Sequence, residues 1–98
     1  WNSAEEAFPK IGEEANELLD ALHDGTNTSE EAGDLLFAAV NVIRLLKLDP
    51  EQVLHDATDK FINRFGRMEQ LAREDGTRLE SLSFDKQNEY WDKAKSAE

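Results

Sequence analysis

Apolar residues recur along the chain at helical spacing, and no segment alternates apolar and polar residues as a half-buried strand would. Phe8, Ile11, Ala15, Leu18 and Leu22 follow one another at intervals of three and four, which predicts a helix from about Ala4 to about Asp24 with this stripe turned to the core. Pro9 falls near the start, where the first turn tolerates a missing N–H. The polar stretch HDGTNTS ends the pattern, with Gly25 placed for a left-handed C-cap. A second helix is expected from Thr28 or Ser29 to about Lys47, and Thr28 and Glu31 have the spacing of a capping box. Its apolar positions, among them Leu35, Leu36, Ala39, Val40, Ile43 and Leu46, cover so wide an arc that burial on more than one side is expected. A third helix starts with Asp49 as N-cap and Pro50 in the first helical position, and runs to about Asp75 before Gly76. GTRLESLS reads as a loop, and a fourth helix begins near Ser83 and carries Phe84, Tyr90 and Trp91. The expectation is an all-α fold, a single domain over residues 1–98.

Size and charge narrow the function. A chain of 98 residues buries a modest share of its surface, so self-association is a natural source of added stability. With no cysteine it has neither disulfides nor a thiolate metal site, and it fits a reducing compartment such as the cytoplasm. No apolar run approaches the roughly 20 residues of a membrane span, and no signal peptide is visible. The chain begins at Trp1 rather than at an initiator Met, which leaves room for sequence upstream. A net charge of −11 argues against binding nucleic acid, which needs a basic surface. A phosphorylated ligand remains open to such a chain if a divalent cation lies between the two.

The acids are then of interest for their register. A helix turns by about 100° per residue, so Glu13 points away from the apolar stripe of the first helix. Glu14 borders the stripe, at about 85° from its centre, and Glu17 lies further round with Lys10 between them in angle. In the second helix Glu30 points away, whereas Glu31 borders the apolar face and Asp34 follows one turn on, continued by Ala38 and Asn41. A short connection favours antiparallel packing, which lets the two strips face each other. Four carboxylates gathered there repel unless a cation sits among them, and hard oxygen ligands suit Mg²⁺ or Mn²⁺. The same acids also read as solvated helix surface in a chain this acidic. A di-iron bundle would need Glu-x-x-His pairs, and neither His23 nor His55 follows a Glu by three.

Cations are scarce, so their placement carries information. Lys60 and Arg64 are four apart in the third helix, and Trp91 and Lys95 are four apart in the fourth. Surface salt bridging accounts for Lys60 and Arg64, and core or interface packing, the commoner role, for Trp91; the functional alternative is that both pairs meet a polyphosphate and a flat base.

KIGEEANELLDAL, EEAGDLLFAAVNVIRLLKLDPEQVL, DKFINRFGRME and YWDKAK together resemble the MazG family of nucleoside triphosphate pyrophosphohydrolases, over nearly the whole chain. The likeness is to the C-terminal catalytic domain of two-domain members or to a stand-alone relative. The family's E-x-x-E, spacer, E-x-x-D motif matches Glu14 and Glu17, thirteen intervening residues, then Glu31 and Asp34. The resemblance implies that these four acids bind Mg²⁺ and that a nucleoside triphosphate is cleaved between its α and β phosphates, giving a monophosphate and pyrophosphate. It implies phosphate contacts for Lys60 and Arg64, places Trp91 and Lys95 near the nucleotide, and assigns Lys10 and Asn41 to positions where the family often has Lys and Asn. It also implies a four-helix bundle completed by dimerisation, with active sites drawn from both chains. Ala32 replaces the usual Leu of the second motif, a small apolar loss beside the acids. The alternative reading is a catalytically silent helical module that oligomerises.

Overall fold

The computed structural model describes residues 1–98 and contains four α-helices with one short 3-10 helix and no strand: α1 Ala4–Asp24, α2 Thr28–Leu45, α3 Pro50–Glu74, the 3-10 turn Leu79–Ser81, and α4 Phe84–Ser96. None of the helices is long and apolar enough to cross a membrane. The chain divides into two compact units, residues 1–53 and 54–98.

In the first unit α1 and α2 pack against each other, and a connection of three residues makes them antiparallel. Ser3 caps α1 by accepting the Glu6 N–H, and Gly25 closes it at φ 70° with its N–H on the Ala21 carbonyl. Pro9 falls in the second turn rather than the first, so the Glu5 carbonyl loses its i+4 donor; both residues are exposed, where solvent satisfies such a group at little cost. The start of α2 differs from the capping-box expectation. Asn27, not Thr28, is the cap, in the left-handed conformation at φ 53° and with no side-chain cap bond. Asn adopts that region more readily than most residues. The shift makes Glu31 one position too late to reach back to the cap, and its carboxylate is free to turn elsewhere.

The stripe that α1 buries also differs from the expected one. Ala7, Glu14 and Ala21 are buried, with Ile11 and Leu18 half-buried between them, whereas Phe8, Ala15 and Leu22 are exposed. The seam therefore follows positions spaced by seven, two alanines with Glu14 between them, and α2 buries Ala38, Asn41 and Val42. Alanines let two helices approach closely, and that approach carries Glu14 from the border of the apolar face into the middle of the seam. The large apolar residues left over, Phe8, Leu22, Leu36 and Phe37, stand at 51%, 64%, 64% and 71% exposure.

The second unit has its own core. Met68 and Ala72 of α3, Leu79 of the 3-10 turn, and Tyr90 and Ala94 of α4 are buried together, with Leu71, Leu82 and Trp91 packed against them. Asp49 caps α3, its Oδ1 accepting the N–H groups of Glu51 and Gln52 at 3.0 and 3.4 Å. Gly76, at φ 75°, reverses the chain after α3. Ser83 caps α4 by accepting the Lys86 N–H. The segment expected to be a loop contains the 3-10 turn because Leu79 is drawn into the core and Gln87 donates to its carbonyl at 2.8 Å.

Candidate functional site

In the first unit, Glu14 and Glu17 are one helical turn apart on α1, and α2 brings Glu31 to them. A carboxylate oxygen from each lies within 4.8 Å of the others. Glu14 is buried, Glu31 half-buried and Glu17 exposed, so the group opens to solvent on the Glu17 side. Lys10 reaches Glu14 Oε1 at 3.0 Å and Glu13 at 3.6 Å. The second oxygens of Glu14 and Glu31 are buried with no hydrogen-bond partner. Orphaned acceptors of that kind are costly in a folded protein.

The electrostatics follow from this geometry. The hydrogen bond from Lys10 holds the Glu14 carboxyl below its usual range, against the opposing effect of burial, and the same bond raises Lys10. Glu17, close to the Glu14 carboxylate and facing its charge, is pushed up, with burial and the charge of Glu31 adding to the effect. One lysine does not neutralise three acids. Hard, closely spaced oxygens with two empty acceptor sites are a donor set that fits Mg²⁺ or Mn²⁺.

The other candidates are distributed as follows. Asp34 is exposed and stands outside the group of three, one turn along α2 from Glu31. Glu13 and Glu30 are exposed, on the outer faces of their helices. Asn41 is buried in the seam, and its Oδ1 accepts from Arg44 at 2.7 Å. His23 and His55 are surface residues, His55 lying 3.3 Å from Asp59.

In the second unit Lys60 is exposed and Arg64 buried, one turn apart on α3. The guanidinium of Arg64 lies over the Trp91 ring, 4.7 Å from its centroid, and Phe61 packs on the same indole at 5.7 Å. Trp91 is half-buried and Lys95 exposed. Arg64 also grips the Glu98 carboxylate with two bonds, Nε to Oε1 at 2.7 Å and Nη2 to Oε2 at 2.8 Å. Glu98 and Arg67 both border this cleft and neither was expected from the sequence. Arg67, seven residues after Lys60, was legible as a third cation on the same helix face. Glu98 gave no such signal, because a partner 34 residues from Arg64 follows from no local spacing.

The fold and the acidic group define the class, an all-α domain whose antiparallel helix pair presents clustered carboxylates. Comparison with known proteins then settles the family: the model described as the MazG nucleotide pyrophosphohydrolase domain matches residues 2–67, and the chain belongs to that family. The nucleoside triphosphate pyrophosphohydrolase/pyrophosphatase MazG of Thermotoga maritima is 47% identical over all of this chain, which spans 38% of that protein. The nucleoside triphosphate pyrophosphohydrolase of Escherichia coli K12 is 31% identical, again over all of this chain and 39% of its own length. The uncharacterized protein YabN of Bacillus subtilis is 42% identical over 74% of the chain, but only 15% of that protein is covered. The chain thus spans about two fifths or less of each of these relatives. No solved structure matches it.

Proposed function

We propose that this domain hydrolyses nucleoside triphosphates, ribo- or deoxyribo-, to the monophosphate and pyrophosphate, with Mg²⁺ as cofactor and Mn²⁺ as a substitute, and that it serves to clear nucleotide pools in the cytoplasm. The observation that carries the proposal is the Glu14, Glu17 and Glu31 group with its two orphaned buried oxygens. Family membership supports it, since the relatives named for this activity match the chain from end to end.

Glu14, Glu17 and Glu31 would hold the metal, joined by Asp34 one turn along α2. Bound there, Mg²⁺ supplies charge neutralisation at phosphate oxygens and a more acidic water. Lys10 keeps Glu14 ionised and aimed. A carboxylate of this group beside that water is suited to take its proton. Lys60 and Arg64 bind phosphate oxygens, a role that fits the forked guanidinium. Trp91 and Lys95 contribute to nucleotide binding, and Asn41, held by Arg44, keeps the seam in register behind the acids. Chemistry of this type is mostly positioning and charge stabilisation, and these residues supply both.

The uncovered apolar residues of α1 and α2 support a homodimer or a larger homo-oligomer. Incubation with a panel of ribo- and deoxyribonucleoside triphosphates, with and without Mg²⁺, tests the reading. Equimolar monophosphate and pyrophosphate, formed only with the metal, are the expected products. Release of inorganic phosphate instead, or no turnover of any member, would leave a helical module that oligomerises without catalysis.

A further inference from the structure

The second unit contains a cleft in which one of the chain's own carboxylates sits on a buried cation. The cleft has a volume of about 430 Å³ and is lined by three cations, Lys60, Arg64 and Arg67, and three acids, Asp56, Asp59 and Glu98, together with Asn63. Arg64 is fixed in it. Its side chain is 9% exposed, the Trp91 ring lies against its guanidinium, and its forked N–H groups are on the Glu98 carboxylate. A buried cation needs an anion, and Glu98 provides one with two short parallel bonds. That fork-on-carboxylate geometry is the one a guanidinium also offers to phosphate.

The two partners are not equally fixed. Glu98 is 39% exposed and lies beyond the end of α4 at Ser96, tied by a backbone bond of 3.3 Å to the Lys95 carbonyl. Arg64 is thus the more buried partner and Glu98 the more exposed one. The charges of Lys60 and Arg67 also act on Glu98; with Glu98 displaced, the three cations outnumber the two aspartates of the lining, so the cleft still favours an anion.

We propose that Glu98 is a displaceable occupant of an anion seat formed by Arg64 with Lys60 and Arg67, and that a phosphate group of the substrate enters by displacing it. The proposal rests on the triphosphate reading above for the identity of the ligand. Internal competition lowers the apparent affinity by the fraction of molecules in which the seat is free, so a seat free in about a tenth of them would bind roughly tenfold more tightly once Glu98 is removed.

Calorimetric titration of the full chain with inorganic pyrophosphate, without divalent cation, provides the test. Glu98→Gln and Glu98→Ala should each lower Kd by about threefold or more. Glu98→Asp, which keeps the charge and shortens the reach, should fall between them and the parent. Folded variants with unchanged or weaker affinity would make the pair an ordinary structural salt bridge and overturn the proposal. The unaltered chain gives a second reading that does not depend on variants folding. Pyrophosphate should shift the Arg64 Nε–H and Glu98 carboxyl resonances together, and movement of neither would also overturn it. Triphosphate hydrolysis in Mg²⁺ is scored separately. Tighter pyrophosphate binding without hydrolysis would keep the seat and remove the hydrolase reading. Hydrolysis with an affinity indifferent to Glu98 would do the reverse.

Discussion

Glu31→Gln separates the two things a clustered carboxylate does. In the folded chain one oxygen of Glu31 is buried without a partner, beside two other acids. An orphaned buried polar atom costs about 1–3 kcal/mol, and more when charged. The amide keeps the shape and removes the charge, so metal-free Glu31→Gln should be as stable as the parent or more so by about 1 kcal/mol. For a domain of this size that is a rise in Tm of roughly 4–8 °C. With Mg²⁺ the order should reverse. At a concentration one hundredfold above its Kd, the ion stabilises the parent by about 2.7 kcal/mol, or roughly 10–20 °C. Loss of a direct ligand should weaken the ion at least as much as the roughly hundredfold that outer-shell changes can cost. At the same Mg²⁺ concentration that leaves about 0.4 kcal/mol, or roughly 2–3 °C. Thermal melts with and without Mg²⁺, paired with pyrophosphate release, measure both effects, and activity should fall at least about a hundredfold. Glu30→Gln, on the outer face one residue earlier, should change neither. A full Mg²⁺-dependent shift in Glu31→Gln, or equal losses of activity in the two variants, would refute the assignment of the acids to faces.

Trp91 carries both the Arg64 guanidinium and the Phe61 ring. Trp91→Leu should therefore lower Tm and raise KM for all triphosphates by a common factor with kcat less affected; a KM change confined to one base would contradict this. The Tyr90 hydroxyl donates to Asp75 at 2.6 Å, and that bond, with burial and the acid's charge, pushes the phenol above its ordinary value of about 10. A pKa raised on folding makes the contribution complete below the unfolded value and lost as pH rises through the folded one. Stability measured by denaturant should thus fall above about pH 10 in the parent by more than in Tyr90→Phe, and parallel curves would show that the bond is not the cause. The exposed Phe8, Leu22, Leu36 and Phe37 should be covered in an assembly, so light scattering should give at least twice the 11.1 kDa of one chain; an active monomer would refute it.

The sequence by itself determined the four helices and most of their ends, because these depend on local chemistry. Asp49 with Pro50, Gly25, Gly76 and Ser83 act within a turn of where they stand. It also separated Glu14 and Glu31 from Glu13 and Glu30, since angle about a helix axis follows from spacing alone. The particular seam of α1 was not determined in this way. Following the apolar stripe selects Phe8, Ala15 and Leu22, but close approach to α2 favours the alanines at 7 and 21 and so buries Glu14 between them. The exclusion of Asp34 from the group of three and the use of Glu31 at the site rather than at a cap depend on the same approach. The union of Arg64 with Glu98 lies still further from local rules. It joins residues on different elements of the second unit, and only the packing of α4 on α3 around Met68, Tyr90 and Ala94 brings them within bonding distance. A helix has a fixed turn that a reader of the sequence can compute, whereas the distance between two helices is set by the side chains that both must bury.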